Sequence, residues 1–308
     1  MIICCGEALI DMVPVEGNET PTFAAHCGGA VYNTAVALGR LGAPVALVSG
    51  VSEDALGERL VHELQDSGVD INLLIRSARP TTLAMVHLQN GSATYSFYDE
   101  GSAGRMIGPG DLPDLPDTVN ACFFGGISLC MTPVADTLVG FAERLASDRV
   151  IMVDPNIRPG FADDERTYRD RITRLLACAD LVKLSDEDLD WLYPGLNDGA
   201  RREQLLANGV TAAFITRGGH GAEAWLASGE TVHTPSEPVN VVDTIGAGDT
   251  FNAGILAYLS ANGHLNKQTL QNLTATDWQA AMTLAAKAAA ITVSRAGANP
   301  PWRADLNT

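Results

Sequence analysis

The sequence predicts an α/β fold with a mostly parallel central sheet and a small second β-sheet beside it. Short apolar runs alternate with longer amphipathic segments along nearly the whole chain. Strand–helix–strand repetition of this kind builds a parallel sheet covered by helices on both faces. Apolar residues make up 46% of the 308 positions, enough for a large core. One region departs from the alternation and supplies the second sheet.

The elements follow in order. MIICC (residues 1–5) is a continuous apolar run and reads as a buried strand. VPVEGNETPTFAAH (13–26) is extended chain punctuated by turn residues. Residues 31–41 read as a helix, PVALVSG (44–50) as a strand and 55–66 as a helix. In LAMVHLQNGSATYSFYD (83–99), rough alternation flanks Asn90-Gly91, a strong hairpin signal. Segments of about 12–27 and 81–100 therefore form a small β-sheet standing off the main layer, a candidate lid within one domain spanning 1–308. ACFFGG (121–126), VIMVDP (150–155), DLVKLS (180–185) and AAFITRGG (212–219) read as further buried strands, with helices over 134–146 and 168–179. An alanine-rich run at 251–259 and a helix over 278–292 follow, and AGANPP ends the latter.

The net charge of −17 argues against a general nucleic-acid or anionic-membrane surface, and an anionic substrate would need locally placed cations, helix ends or a metal. Six cysteines occur without a C-x-x-C pair, several inside apolar runs. They read as buried thiols of a reducing, cytoplasmic compartment, not zinc ligands. The first ten residues carry no basic n-region, and no run approaches the ~20 uncharged residues of a membrane span.

The chemistry concentrates in VVDTIGAGDTFNAG (241–254), where Gly246, Ala247 and Gly248 precede Asp249 at the start of an apolar helix. Helix-opening amides lack intrahelical acceptors and carry positive potential, and glycines admit a phosphate closely. Asp249 alone could be an N-cap, which leaves the two glycines before it unexplained. Beside an anion hole, an acid can take a hydroxyl proton while amides stabilise a transferring phosphoryl group. A Walker-type loop is excluded because no Gly-Lys dipeptide exists. A dinucleotide fingerprint is disfavoured by Phe251 at its third small position and by the motif's late place in the chain.

DTIGAGDTFNAG resembles the C-terminal signature of the ribokinase-like (PfkB) carbohydrate kinases, and GGAVYNTAVALGRLG (28–42) resembles their N-terminal one. CGEALIDM, VDPNIRPG and ITRGGHGA fall in family order, and within the family the chain is most similar to bacterial fructokinases. The resemblance implies a three-layer α/β/α fold with a β lid, ATP as co-substrate, Mg2+, and K+ as monovalent activator. It makes Asp249 the base for the sugar's primary hydroxyl and Gly246, Ala247 and Gly248 the anion hole. Asp11 and Asn33 would hold sugar hydroxyls, with Gly28 and Gly29 letting the backbone approach. Phe97 and Tyr98 would cover the sugar, and Arg158 would reach sugar or phosphate. Thr216, Gly218 and Gly221 match the nucleotide-binding turn, Ser185 and Gly248 would also meet the nucleotide, and Val239 to Val242 match the adenine edge. The family's N-x-x-E, which organises magnesium through water, is replaced here by KLSDEDL, with Ser185 and Asp188 at the matching places. Asp243, Ile245, Val293, Ala296 and Ala298 match a monovalent-cation loop.

The resemblance makes D-fructose the first substrate, phosphorylated to fructose 6-phosphate. Ribose or 2-keto-3-deoxygluconate are alternatives; for the latter, Arg105 and Arg158 are the available cations, while Asp99 opposes an acid near the lid. A non-catalytic sugar- or nucleotide-binding regulator is a further alternative, against which the intact GAGD argues. A homodimer through the lid is the expected assembly.

Overall fold

The computed structural model describes residues 1–15, 20–89 and 92–307. The predicted turn at Asn90-Gly91 and residues 16–19 lie outside the described residues. In chain order the strands are β1 (Ile2–Cys5), β2 (Leu9–Val15), β3 (Thr22–Gly28), β4 (Val45–Val48), β5 (Gly50–Ser52), β6 (Ile75–Ser77), β7 (Leu83–Gln89) and β8 (Ser92–Tyr98). They continue with β9 (Ala121–Gly125), β10 (Val150–Asp154), β11 (Leu181–Ser185), β12 (Ala212–Thr216), β13 (Ala222–Leu226) and β14 (Thr231–Thr234). The helices are α1 (Ala30–Arg40), α2 (Ala55–Asp66), α3 (Val134–Leu145), α4 (Glu165–Cys178) and α5 (Asp186–Leu192). After these come α6 (Asp198–Leu206), α7 (Ala247–Ala261), α8 (Lys267–Leu270) and α9 (Ala275–Val293).

The main sheet runs β14-β13-β12-β11-β10-β9-β1-β4, parallel from β4 to β12 and antiparallel at its β13–β14 edge. Successive residues on each strand enter opposite cores. Ile2, Phe123 and Met152 pack with α1, α7 and α9 on one face, and Ile3, Phe124 and Val153 pack with α3 and α4 on the other. Both faces are covered, which is why these strands are continuously apolar. The result is three layers, α/β/α, as the resemblance implies.

Four strands form the second sheet, ordered β3-β2-β7-β8. Its central β2–β7 pair is parallel and its outer pairs are antiparallel. It occupies the two segments assigned to a lid from the sequence. The β13–β14 hairpin, α6 and the short β5–β6 pair are not anticipated by the sequence pattern, because each is short and mixes polar with apolar positions. α4 starts three residues earlier than its apolar pattern, because Asp164 caps it by accepting from Thr167 N at 2.7 Å. Among the described residues, no helix is long and apolar enough to cross a membrane.

Strand order places the site. From β1 the chain goes to β4 on one side and later to β9 on the other. Ligands of open α/β sheets sit at the carboxyl ends of strands around such a reversal.

Candidate active site

A cavity of about 440 Å³ opens at those strand ends. It is lined by Glu7 after β1, Asp11 on β2, Asn33 on α1, Lys183 and Ser185 on β11, and Gly246 to Asp249. A second cavity of about 430 Å³, walled by Gly218, Gly221, Val239, Val241, Phe251 and Val293 among others, is more apolar. The two share Thr216, Thr244, Ala247 and Gly248. The first turn of α7 is therefore the partition between a polar chamber and an apolar one.

Local sequence explains that turn. Gly246 is the N-cap of α7 in the left-handed region (φ 78°), where a residue with Cβ is strained. A Cβ there would also lie 2.9 Å from the Cβ of Ala298. Thr250 N donates to Gly246 O at 2.8 Å, the first bond of the helix, and the amides of Gly248 and Asp249 precede it. Ala247 N reaches Thr244 O at 3.4 Å. A Cβ on Gly248 would come 3.0 Å from Lys183 Nζ, so the ammonium lies beside the helix-opening turn in the same chamber. The small residues deeper in α7 serve packing: a Cβ on Gly254 would lie 2.4 Å from Ala285 Cα, where α7 crosses α9.

Asp249 is 8% exposed. Its Oδ2 accepts a hydrogen bond from Asn33 Nδ2 at 2.9 Å. Burial pushes its carboxyl up to about 7, with the Asn33 bond and Lys183 opposing and the charges of Asp154 and Glu7 assisting. A carboxylate so poised is a proton acceptor suited to neutral pH.

On the polar side, burial raises Asp11 to about 6. Gly28 does not line the chamber. A Cβ there would fall 2.1 Å from Asp11 Oδ2, so its bareness accommodates the carboxylate, in place of the expected backbone approach to a ligand. Gly29, at φ 106°, does line it. Strand alternation separates the predicted aromatic pair. Phe97 faces the chamber with Tyr95, whereas Tyr98 points away and is 63% exposed. Phe97 meets Phe161 edge-on, with centroids 4.6 Å apart, bringing the small sheet against the main body. Arg158 lines the chamber. Arg105 does not; its Nη1 pairs with Asp99 at 3.2 Å.

Thr216, Gly218 and Gly221 line the apolar chamber. Gly221 takes φ 87°, and a Cβ on it would meet Thr234 O at 2.2 Å. Ser185 and Asp188 form a capping box: Asp188 N donates to Ser185 Oγ at 3.0 Å and Ser185 N to Asp188 Oδ2 at 2.8 Å. Asp188 Oδ1 accepts from Ile157 N at 2.8 Å. The pair lines the polar chamber, but its first task is to cap α5. The segments around Asp243 and residues 293–298 are joined: Asp243 accepts from Ile245 N at 3.0 Å and Gly297 N at 2.9 Å. Val293 O accepts from the amides of Val242 and Asp243.

Residues 1–305 match the pfkB family carbohydrate kinases. The chain belongs to that family. A fructokinase of Rhizobium leguminosarum bv. trifolii is 48% identical to this kinase-family chain over 274 residues, covering 89% of it and 84% of the relative. The solved fructokinase of Xylella fastidiosa with bound ATP superposes with a TM-score of 0.88 at 26% identity, covering 99% and 97% of the two chains. An aminoimidazole riboside kinase of Salmonella enterica, complexed with aminoimidazole riboside and an ATP analogue, gives 0.86 at 27% identity, covering 99% and 98%.

Four buried residues of this pfkB-family site escape sequence reasoning: Glu7, Asp154, Lys183 and Asn252. Lys183 Nζ lies 3.0 Å from Asp154 Oδ2, which also accepts from Asn252 Nδ2 at 2.7 Å. Burial works against the ammonium, but Asp154, Asp188 and Asp249 outweigh it and hold its pKa up. The available signal is a charged or amide residue set among apolar or small neighbours: Glu7 in CGEAL, Asp154 in VIMVDP, Lys183 in LVKL and Asn252 in FNAG.

Proposed function

We propose that this protein is an ATP-dependent fructokinase, forming fructose 6-phosphate. The observation that carries the reading is the pair of chambers meeting at Gly246–Asp249, with the carboxylate on the polar side and an apolar pocket for a nucleotide base behind it. The similarity to a bacterial fructokinase supports the choice of sugar.

In this mechanism the sugar lies between Asp11, Asn33 and the Phe97 face. Asp249 takes the proton of the primary hydroxyl as its oxygen attacks the γ-phosphorus. The bond to the β-phosphate oxygen breaks, ADP leaves, and the proton remains on Asp249. The amides of the α7 start and the Lys183 ammonium stabilise the charge that develops on the transferred group. Closure of the small sheet excludes water that would otherwise take the phosphoryl group.

A neutral sugar is favoured over an acidic one by the lining. Five carboxylates face the chamber (Glu7, Asp11, Glu187, Asp188 and Asp249) against two cations, Arg158 and the Asp154-paired Lys183, while Arg105 is committed to Asp99. Mg2+ arrives with the nucleotide: among the described residues no group of three His, Cys, Asp or Glu side chains could hold a metal alone, and Mg2+ ordinarily keeps waters and binds phosphates plus one or two carboxylates. Asp188 and the exposed Glu187 line the chamber and are the carboxylates that fit. The backbone oxygens of Ile245, Ala296 and Ala298 beside Asp243 are donors of the type a hard monovalent cation takes, and K+ is the ion we assign there. The face of the small sheet turned away from the chamber, with Phe23 and Tyr98 exposed, supports homodimer formation. A panel of fructose, ribose and 2-keto-3-deoxygluconate with ATP and Mg2+ tests the reading. Fructose is expected to have the highest kcat/KM, and preference for the acidic sugar sinks it.

A further inference from the structure

Glu7 sits where the chain leaves β1 for the small sheet, and it is 6% exposed. Its Oε2 accepts from Ser128 N at 3.2 Å and Ser128 Oγ at 2.9 Å, and its Oε1 from Val31 N at 3.4 Å. Two glycines at positive φ make room for it. A Cβ on Gly126 would fall 2.1 Å from Glu7 Oε1, and one on Gly29 would fall 3.0 Å from Glu7 Cγ. Two of its three partners are amides that only donate, which suits the ionised carboxylate. Burial raises its pKa, and these hydrogen bonds act against that rise.

Val31 lies in the first turn of α1. Asn33, two residues on, holds the Asp249 carboxylate at 2.9 Å. Ser128 follows Ile127, which lines the polar chamber. One carboxylate therefore ties the turn that orients the base to the chamber's opposite wall.

We propose that Glu7 is a positioning residue for phosphoryl transfer: it clamps the first turn of α1 so that Asn33 aims Asp249 at the sugar, and it sets a second carboxylate in the chamber that holds this base. This rests on the kinase reading with Asp249 as base. The groups acting on Asp249 are Asn33 from α1, Asp154 at the end of β10, Lys183 on β11 and Glu7. Asp154 is countered by Lys183 at 3.0 Å. Glu7 has no ion pair among the described residues, so its charge reaches Asp249 without a cation of its own to offset it.

Glu7→Gln keeps the shape, removes the charge and places an amide NH2 against backbone donors. The acid limb of kcat/KM for fructose against pH should move down by about half a pH unit or more, because Asp249 loses a repelling neighbour. Turnover should fall on the order of 10–100-fold as the base loses its aim, with KM for ATP held within about twofold. Glu7→Asp keeps the charge on a shorter stem; its limb should return to the wild-type position while turnover stays low. A purely structural Glu7 would leave the limb of the Gln variant unmoved, and that result overturns the proposal. If the Gln variant does not fold, Ser128→Ala carries the test: turnover should drop several-fold with KM for ATP unchanged, and undiminished turnover overturns the clamp. A wild-type protein inactive on every sugar sinks the kinase reading, and this proposal with it; an active wild type with an unmoved limb sinks this proposal alone.

Discussion

Replacing Asp249 by Asn should abolish most turnover and, at the same time, stabilise the protein in alkaline solution. Loss of a general base costs on the order of 10²–10⁴-fold in rate. The stability effect follows from the same burial. The carboxyl is raised from 3.8 to about 7 in the folded protein. Between those values the folded state holds a proton that the unfolded state has released. The protonated form's contribution is complete below roughly pH 4 and is lost as pH rises through about 7. The rise corresponds to roughly 4 kcal/mol, a ceiling because Lys183 and Asn33 can adjust to a new neighbour. The substituted amide titrates nowhere in this range and escapes the loss. The stability of the variant minus that of the wild type should therefore grow between about pH 5 and pH 8, by at least roughly 1 kcal/mol and at most that ceiling. Asp11, raised to about 6, titrates in both proteins and cancels to first order. Urea unfolding followed by tryptophan fluorescence at the two pH values measures the difference. A difference that stays constant, or shrinks toward alkaline pH, would refute an Asp249 made basic by burial.

Gly248→Val should cost turnover and ATP affinity while sparing sugar affinity by calorimetry, because its Cβ lands 3.0 Å from Lys183 Nζ; equal loss of sugar binding would point to collapse of the whole chamber. Lys183→Met should destabilise by about 3–5 kcal/mol in denaturant titration, since it leaves Asp154 charged and buried without its cation; unchanged stability would mean the pair is dispensable. Turnover should be higher in K+ than in Na+ or a bulky organic cation at fixed ionic strength, and equal rates would remove the ion assigned beside Asp243. Amide exchange over residues 92–98 should slow when fructose is added at constant protein concentration; unchanged exchange with normal catalysis would make the small sheet a fixed element.

Much of this architecture is legible in the sequence because the physics behind it is local. Continuous apolar strands such as MIICC and VIMVDP announce burial on both faces, and the glycines before Asp249 announce a backbone bared at a helix start. What stays hidden depends on the third dimension. Nothing in CGEAL says that Glu7 meets Ser128, 121 residues later. Lys183 and Asp154 lie on neighbouring strands, and only the β10–β11 pairing makes their charges cancel. Gly28 is a place of close approach, as its lack of a side chain suggests, but what approaches is the carboxylate of Asp11. Phe97 and Tyr98 are adjacent in sequence and therefore opposite on a strand, so only one of them can face the chamber.

The measurement that bears most directly on the central claim is phosphorus NMR of the product formed from fructose, ATP and Mg2+, with ADP counted alongside. Transfer through Asp249 to a primary hydroxyl predicts one ADP per sugar phosphate and a phosphorus signal split by the two protons of the esterified methylene carbon, absent with Asp249→Asn. ADP with inorganic phosphate and no sugar ester, or full product formation by the Asn variant, would contradict it.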